Sequence, residues 1–598
     1  MPRARIWGNA HPMRIARVLV IVFVALVIFD PPTALAQEQK QPTAVGGGGA
    51  AASVDLDGTR AAIQALKDGG NAVDAAVAAA GVLGVTEPYS CGIGGGGFMV
   101  IRTAGGKVTT IDGREESPAT MRPDSFWENG KPLLFDDARF SGISAGIPGT
   151  VATWQTALSR YGTWSLARAL QPGIQTATNG FRVDGTFVSQ TQPNVDWFND
   201  IPSTAAIYLD PDGTPRDEGS TLKNPDLAHT YRRLADNGAD WFYNGSVAGA
   251  MAGAAQNPPK AANANHAWRP GLMTRADVGR YRAIERPPTH IGYRGLDVWG
   301  IGPPSSGGST VGEALNILEG YKKLASDRVR ALHLMLESSR FTFADRNAYL
   351  ADPDFFDVPL TGLLSDSFAA ERRALIDQTH AATSPVAPGD PYDNQGDQST
   401  PPHASATVSH PRQSTTHLVV SDSRGNVVSY TFTIESTGGN AIVVPGYGFL
   451  MNNELTDFNF DSQTHPNRSD ADKRPRSSMS PTIVTRSGQP FLAVGSPGGS
   501  TIPGTVLQIL LERLDLGATL PQAIARPRAT NRNTAKTTAE PDFINSSEGQ
   551  ALRAYGHDYT SMTEIGAATG IEFLGGGQAL AAAEPVRRGG GSAAVVQP

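Results

Sequence analysis

One cysteine, Cys91, in 598 residues excludes an intrachain disulfide, so packing alone must stabilise the chain. The 11 histidines are scattered and no H-E-x-x-H run occurs, so no metal is expected. Basic charge is not in excess. The formal charge of −7 argues against nucleic acid and against broad adsorption to anionic lipid. Long apolar runs are missing too: the best, residues 19–29, falls short of the roughly 20 residues that span a bilayer. Gly92-Ile93-Gly94-Gly95-Gly96-Gly97 fits a dinucleotide fingerprint, but that fingerprint must leave a strand and open a helix. Here it runs into strand-like Phe98-Met99-Val100-Ile101, so no nucleotide or other cofactor is expected, and the glycines read as close backbone packing beneath a site.

Arg14 and Arg17 precede that short apolar run, and Ala34-Leu35-Ala36 follows it before Gln37. A positive segment, a dozen apolar residues and an A-x-A-like site read as a signal peptide over residues 1–36, hence an exported, periplasmic or secreted protein. The competing reading is an uncleaved membrane anchor. A hydrophobic content of 40% is ample for a core, while 66 Gly and 43 Pro imply many turns.

Apolar spacing predicts helices over residues 59–66 and 71–82, and long amphipathic helices over 310–324 and 328–349. Residues 98–102 and 108–111 read as a hairpin, and residues 447–451 as a strand. Mixed helix and strand without regular βαβ repetition points to an α+β sandwich. Residues 378–414, rich in Pro, Ser, Thr, Asp and Ala, read as a mobile connector.

Directly after that connector comes Ser414-Thr415-Thr416-His417, then apolar Leu418-Val419-Val420, a turn containing Gly425-Asn426, and a run from Val427 to Glu435. This predicts an antiparallel hairpin with Thr431, Thr433 and Glu435 on one face and Tyr430, Phe432 and Ile434 on the other. Alone, the polar face reads as the wet side of a sheet. A Thr-led strand after a mobile tail is also where a cut between Ser414 and Thr415 would free a new amino terminus. An N-terminal Thr is self-sufficient: its α-amine, with pKa about 7.7–8.0, can take the hydroxyl proton. Downstream, Phe491-Leu492-Ala493-Val494 and Gly495-Ser496-Pro497-Gly498-Gly499 read as a strand and a Gly turn before a helix near Pro503. Free N–H groups at such a turn can hold an oxyanion.

Thr-Thr-His at 415–417, Thr433, Asn452-Asn453-Glu454-Leu455-Thr456-Asp457-Phe458, Lys473-Arg474-Pro475-Arg476-Ser477-Ser478-Met479 and Gly495-Ser496-Pro497-Gly498-Gly499 resemble, in this order, the small subunit of γ-glutamyltranspeptidases. Asp68-Gly69-Gly70-Asn71, Ile111-Asp112-Gly113-Arg114-Glu115, Pro303-Pro304-Ser305-Ser306-Gly307-Gly308, Ala344-Asp345-Arg346 and Arg587-Arg588-Gly589-Gly590 extend the resemblance.

That resemblance implies a four-layer αββα sandwich of the N-terminal nucleophile hydrolases. It implies one precursor cut into a heterodimer of large and small subunits, residues 37–414 and 415–598. Thr415 would be the nucleophile, Thr433 its orienting partner, and Gly498 and Gly499 the oxyanion donors. Arg114, Ser477 and Ser478 would clamp a substrate carboxylate through the planar guanidinium fork, and Glu454 and Asp457 would meet its ammonium. Donors would be γ-glutamyl amides such as glutathione, and acceptors water, amino acids or peptides.

Two departures stand out. Glu435 occupies a position that is Asn in well-known members, and three carboxylates around one ammonium should raise at least one carboxylate pKa. Residues 458–472 are short for a lid and contain no Tyr, implying an open pocket. Two other readings remain: a glutaryl-type β-lactam acylase of the same family, and an inactive binding scaffold.

Overall fold

The computed structural model describes residues 39–396 and 414–597. The expected signal peptide lies outside the described residues. Among those residues no helix is long and apolar enough to cross a membrane. From Lys40 onward they form one compact unit.

Thirteen strands make one antiparallel sheet, twelve of them in a continuous path. They are β1 (Thr43–Ser53), β2 (Gly96–Arg102), β3 (Val108–Gly113), β4 (Ile284–Arg286), β5 (Thr289–Tyr293), β6 (Leu296–Gly300) and β7 (Thr416–Asp422). The rest are β8 (Val427–Thr433), β9 (Thr482–Arg486), β10 (Gln489–Gly495), β11 (Thr569–Gly575), β12 (Gln578–Ala583) and β13 (Ser592–Gln597). The order is β4-β3-β2-β8-β7-β1-β12-β11-β10-β9-β6-β5, with β13 also on β1. The path doubles over at β1, whose Thr43–Gly47 half pairs with β12 and whose Gly49–Ser53 half pairs with β7. As a result β7 and β8 lie face to face with β10 and β11. The His417 ring sits against Gly495, where an added Cβ would stand 2.3 Å from it.

Helices cover both outer faces. On one side are α1 (Leu56–Lys67) and α2 (Ala72–Thr86); on the other are α3 (Gly307–Glu319), α4 (Arg328–Tyr349) and α5 (Ile502–Leu514). Side-chain alternation sorts the core. Leu418, Val420, Tyr430 and Phe432 pack with α2, while Val419 and Val427 join the other cluster with α3 and α5. This is the expected αββα sandwich.

Several expectations need correction. The polar face of β8 is not wet: Ser429, Thr431 and Thr433 are buried between the two sheets, Thr431 bonded to His417 Nδ1 at 2.7 Å. α4 is not amphipathic but buried all round from Ala331 to Tyr349, because α3 and α5 pack on it and its charges find partners such as Glu337–Arg340 and Asp345–Arg372. Residues 447–451 form no strand; only Leu450 makes an isolated bridge, to Val443. The first part of the expected connector is pinned. Ala381 N–H donates to Tyr555 O (2.6 Å), Val386 N–H to Asn533 Oδ1 (2.7 Å) and Gly389 N–H to Asp345 Oδ1 (2.7 Å). Residues 397–413 of the connector lie outside the described residues.

Candidate active site

Register brings the first two candidates together. Thr416 pairs with Phe432, so the next residues out, Thr415 and Thr433, stand side by side with hydroxyl oxygens 3.2 Å apart. The carbonyl oxygen of Ser414 accepts from Thr433 Oγ1 at 2.8 Å and lies 2.5 Å from Thr415 Oγ1. Thr433 Oγ1 in turn accepts from Glu435 N–H at 2.8 Å. Ser414 is held from both ends: its N–H donates to Glu435 O (2.8 Å) and its hydroxyl to Ser90 Oγ (2.8 Å). Ser414, Thr415 and Thr433 are all buried.

The glycine run lies beneath them. An added Cβ at Gly95 would stand 1.9 Å from the Thr433 carbonyl oxygen, and one at Gly94 1.9 Å from Leu450 O. The run feeds β2, and Gly96 and Gly97 pair with Thr433 and Phe432 of β8. Only a residue without a side chain lets the backbones approach this closely.

Sequence reasoning gave Arg588 no role. Its Nη1 donates to Thr415 O at 2.6 Å, and its Nη2 to Ser90 Oγ (2.6 Å) and Glu87 Oε2 (2.9 Å). The Arg-Arg-Gly-Gly motif was the available signal for it.

Around Thr415 a small cavity of about 30 Å³ is lined by Arg114, Thr433, Glu435, Glu454, Asp457, Ser477, Ser478 and Gly499 among others. Gly498 stands one residue behind Gly499. The turn leaves β10 and enters α5 through φ of +135° at Gly498 and +54° at Gly499, as expected for a Gly turn.

Arg114 emerges at the end of β3 and is fully buried. Its Nε donates to Pro475 O (3.0 Å) and its Nη2 to Asp457 Oδ2 (2.6 Å) and Arg476 O (3.0 Å), while Nη1 donates to Glu454 Oε1. The residues expected on opposite sides of a zwitterion are therefore ion-paired with each other. Burial alone would lower the Arg114 pKa, but Glu454, Asp457 and Glu115 together hold it above its ordinary value. Burial pushes Glu115 up to about 7 and Glu454 well above the carboxylate range, with Glu115, Asp457 and Glu435 adding to the latter.

Glu435 does not continue the strand: β8 ends at Thr433 and Glu435 has a φ of +75°. The bend turns its carboxylate to Asn453 Nδ2, which donates at 2.5 Å, and to the Ser436 hydroxyl. Burial first, then Asp457, raises Glu435 to about 7, the direction expected for crowded carboxylates.

The Pro-Pro-Ser-Ser motif explains the Ser477 position. Ser477 N–H donates to Pro304 O at 3.0 Å, and Ser306 N–H and hydroxyl both donate to Ser477 O, at 2.9 and 2.7 Å. Ser478 Oγ accepts from Arg346 Nη2 at 2.6 Å. In residues 458–472, Phe460 packs on Phe126 with ring centroids 5.0 Å apart, and Asn467 Nδ2 donates to Asp457 O at 2.8 Å. This stretch borders a second cavity, of about 280 Å³, that meets the first at Asp457, Ser478 and Ser500.

Among the described residues one cluster, His333, Glu337 and His557, has a donor set suited to a metal ion. Its imidazoles bond each other at 2.9 Å and Glu337 is paired with Arg340 at 3.0 Å, so the groups satisfy one another as a structural network.

The sequence profile of the gamma-glutamyltranspeptidase family matches residues 58–595. Glutathione hydrolase proenzyme of Bacillus subtilis (strain 168) is 37% identical over 513 residues, 84% of each chain. That of Escherichia coli (strain K12) is 36% identical over 498 residues, 80% of each. In three dimensions, cephalosporin acylase from Bacillus halodurans overlays with a TM-score of 0.79 at 27% identity, over 95% of this chain and 99% of that one. The chain belongs to the gamma-glutamyltranspeptidase family.

Proposed function

We propose that this protein is an exported, self-processing γ-glutamyl hydrolase and transferase. The arrangement of Ser414, Thr415 and Thr433 carries the reading: a hydroxyl lies against the carbonyl of the preceding residue, and a second hydroxyl polarises that carbonyl. Thr415 Oγ1 attacks the Ser414 carbonyl carbon, the C–N bond breaks, and an ester forms as the Thr415 α-amine is freed. Water then cleaves the ester and leaves a Ser414 carboxylate.

Residues 37–414 become the large subunit and 415–598 the small one. They remain together because β7 pairs with β1, β8 with β2 and β9 with β6, so each half supplies strands to the other's layers. Residues 1–36 act as the export signal.

In the mature protein the Thr415 amine takes the hydroxyl proton, and Oγ1 attacks the γ-amide of a donor such as glutathione. Gly498 and Gly499 N–H groups hold the oxyanion. The amine leaves with the proton, and water or an amino acid or peptide amine resolves the γ-glutamyl ester. Arg114 receives the α-carboxylate by exchanging Asp457, the more exposed of its two close carboxylates. The freed Asp457, with Glu435 and Glu454, meets the α-ammonium.

A glutaryl-type acylase is the second reading, favoured by the overlay with a cephalosporin acylase. Glutaryl has no ammonium, so an Asp457 displaced from Arg114 by the glutaryl carboxylate would, with Glu435, be left facing no cation, while Glu454 keeps Arg114. The deciding measurement compares kcat/KM for γ-glutamyl and glutaryl anilides on purified, processed protein. A preference for the glutaryl substrate would overturn the proposal.

A further inference from the structure

The family resemblance assigns Ser477 and Ser478 to a substrate carboxylate and leaves Arg346, of the Ala344-Asp345-Arg346 motif, without a role. Arg346 lies in the last turn of α4 and is only 4% exposed. Among the described residues its guanidinium meets neutral oxygens: Nε donates to Ser306 Oγ (2.8 Å), Nη1 to Asn347 Oδ1 (3.1 Å) and Nη2 to Ser478 Oγ (2.6 Å).

These bonds run to both arms of the expected clamp. Ser306, which takes the Nε bond, donates its own hydroxyl proton to Ser477 O at 2.7 Å and its N–H to the same oxygen at 2.9 Å. Ser478 takes the Nη2 bond directly. One planar fork therefore holds the Ser477 backbone and the Ser478 side chain in a single arrangement. The fork also decides where a proton can go. A guanidinium cannot accept, so Ser478, having accepted from Arg346, must send its hydroxyl proton elsewhere. Ser477 Oγ likewise accepts, from Met479 N–H at 3.1 Å. Both side chains line the Thr415 cavity, so both protons are available to an acceptor there. Arg346 itself borders the outer 280 Å³ cavity and not the inner one, so it stands behind Ser478 and reaches the inner cavity through it.

Charge gives this arrangement a direction. Arg114 is already held by Glu454 and Asp457, whereas the Arg346 fork is bonded to neutral groups. Burial, then Arg476, hold the Arg346 pKa well below its ordinary value, as expected of a buried cation short of negative charge. A guanidinium bonded to a hydroxyl oxygen also polarises the O–H and strengthens the bond that its proton donates. We propose that Arg346 is a positioning residue of the carboxylate clamp: it aims the Ser478 hydroxyl proton at the α-carboxylate of the donor, fixes Ser477 beside it through Ser306, and so sets a preference for donors with a free α-carboxylate. It touches no reacting atom.

This inference rests on the γ-glutamyl reading, and the test separates the two. kcat and KM are measured on processed protein for a γ-glutamyl anilide and for the same anilide with its α-carboxylate converted to a carboxamide. The parent should prefer the carboxylate. In Arg346→Gln the KM for the carboxylate donor should rise by about tenfold with kcat little changed, because the charge behind Ser478 is lost. KM for the carboxamide donor should move far less. Arg346→Lys returns the charge without the fork and should recover part of the loss. Ser478→Ala combined with Arg346→Gln should be weaker than the parent by less than the product of the two single effects, since the arginine acts through that hydroxyl. Both donors weakened alike, a full product in the double variant, or a parent-like preference in Arg346→Gln overturns the inference alone. So does failure of both Arg346 variants to fold and process, which would make the residue a structural one. Processed parent protein that turns over neither donor, or prefers neither, overturns the γ-glutamyl reading and the inference with it.

Discussion

Thr433 Oγ1 donates to the carbonyl oxygen of Ser414 at 2.8 Å, so the hydroxyl of one strand end polarises the peptide carbonyl preceding the other strand. The same oxygen accepts from the Glu435 N–H, which fixes its free proton towards Ser414. In the proposed self-cleavage, charge developing on the Ser414 oxygen as Thr415 attacks would meet a donor already in place, without reorganisation.

Self-cleavage should therefore depend on both threonines in different degrees. Thr415→Ala should remain one chain indefinitely. Thr433→Ala should still cleave but more slowly by a factor of about 10²–10³, the usual cost of one preorganised oxyanion donor. Thr415→Ser and Thr433→Ser keep the hydroxyls and should process. Denaturing gels over time, with amino-terminal sequencing of the smaller fragment, read the result. A fragment beginning at Thr416 or elsewhere would show that the wrong bond has been assigned.

Gly95→Ala should impair the same step without touching a reacting atom. The new methyl would meet the Thr433 carbonyl oxygen at 1.9 Å, so β2 and β8 must separate. Overpacking of this kind costs about 1–3 kcal/mol, seen as a lowered Tm. Cleavage should slow in parallel, because displacement of Thr433 carries its hydroxyl away from Ser414. Unaltered cleavage with a lowered Tm would separate the packing from the chemistry.

Arg114→Lys keeps one charge but cannot span Glu454 and Asp457 together with Pro475 O and Arg476 O. KM for a γ-glutamyl anilide should rise by at least about tenfold. Tm should also fall, since a buried carboxylate loses its partner. Arg114→Ala should be worse on both counts, with about 3–5 kcal/mol at stake when a buried pair is broken. An unchanged KM in the Lys variant would mean that the guanidinium serves only its internal carboxylates.

The parts of this site that were legible in the sequence are those governed by short-range rules. The alternating residues either side of Gly425-Asn426 gave the β7–β8 hairpin, and its register alone places Thr415 beside Thr433. The ordered motifs brought Arg114, Glu454, Asp457 and Ser477 into one place. What escaped depends on contacts between distant segments. Polar Thr431 and Ser429 look like a solvated face until a second sheet closes over them, which nothing in their neighbourhood of the chain announces. Arg588 reaches Thr415 across 173 positions, and Arg346 and Arg476 meet across 130. The bend at Glu435 is likewise a tertiary effect: a non-glycine residue at φ +75° persists because Asn453 and Ser414 hold both its ends.

Glu435 supplies the last prediction. Its folded pKa, about 7, lies above the ordinary 4.5 because it is buried and close to Asp457; Ser436, Asn453 and Arg139 pull the other way without cancelling this. A carboxyl raised in the folded state binds its proton more tightly there than in the unfolded chain. Its contribution to stability is therefore present below about pH 4.5 and lost as pH rises towards 7. For activity the sense is opposite. The ionised form attracts the substrate ammonium, so kcat/KM for a γ-glutamyl donor should climb through an acid limb near pH 7. Glu435→Asn removes this titration and also relieves Glu454, which the Glu435 charge helps to raise. The limb should move towards acid in that variant, with activity retained because Asn keeps an acceptor oxygen. Glu435→Lys should be far weaker at every pH, since it sets a cation against a cation. Tm measured from pH 4.5 to 7 should fall less in Glu435→Asn than in the parent. Superimposable acid limbs and parallel Tm curves in the two proteins would show that Glu435 neither meets the substrate nor couples to Asp457 and Glu454.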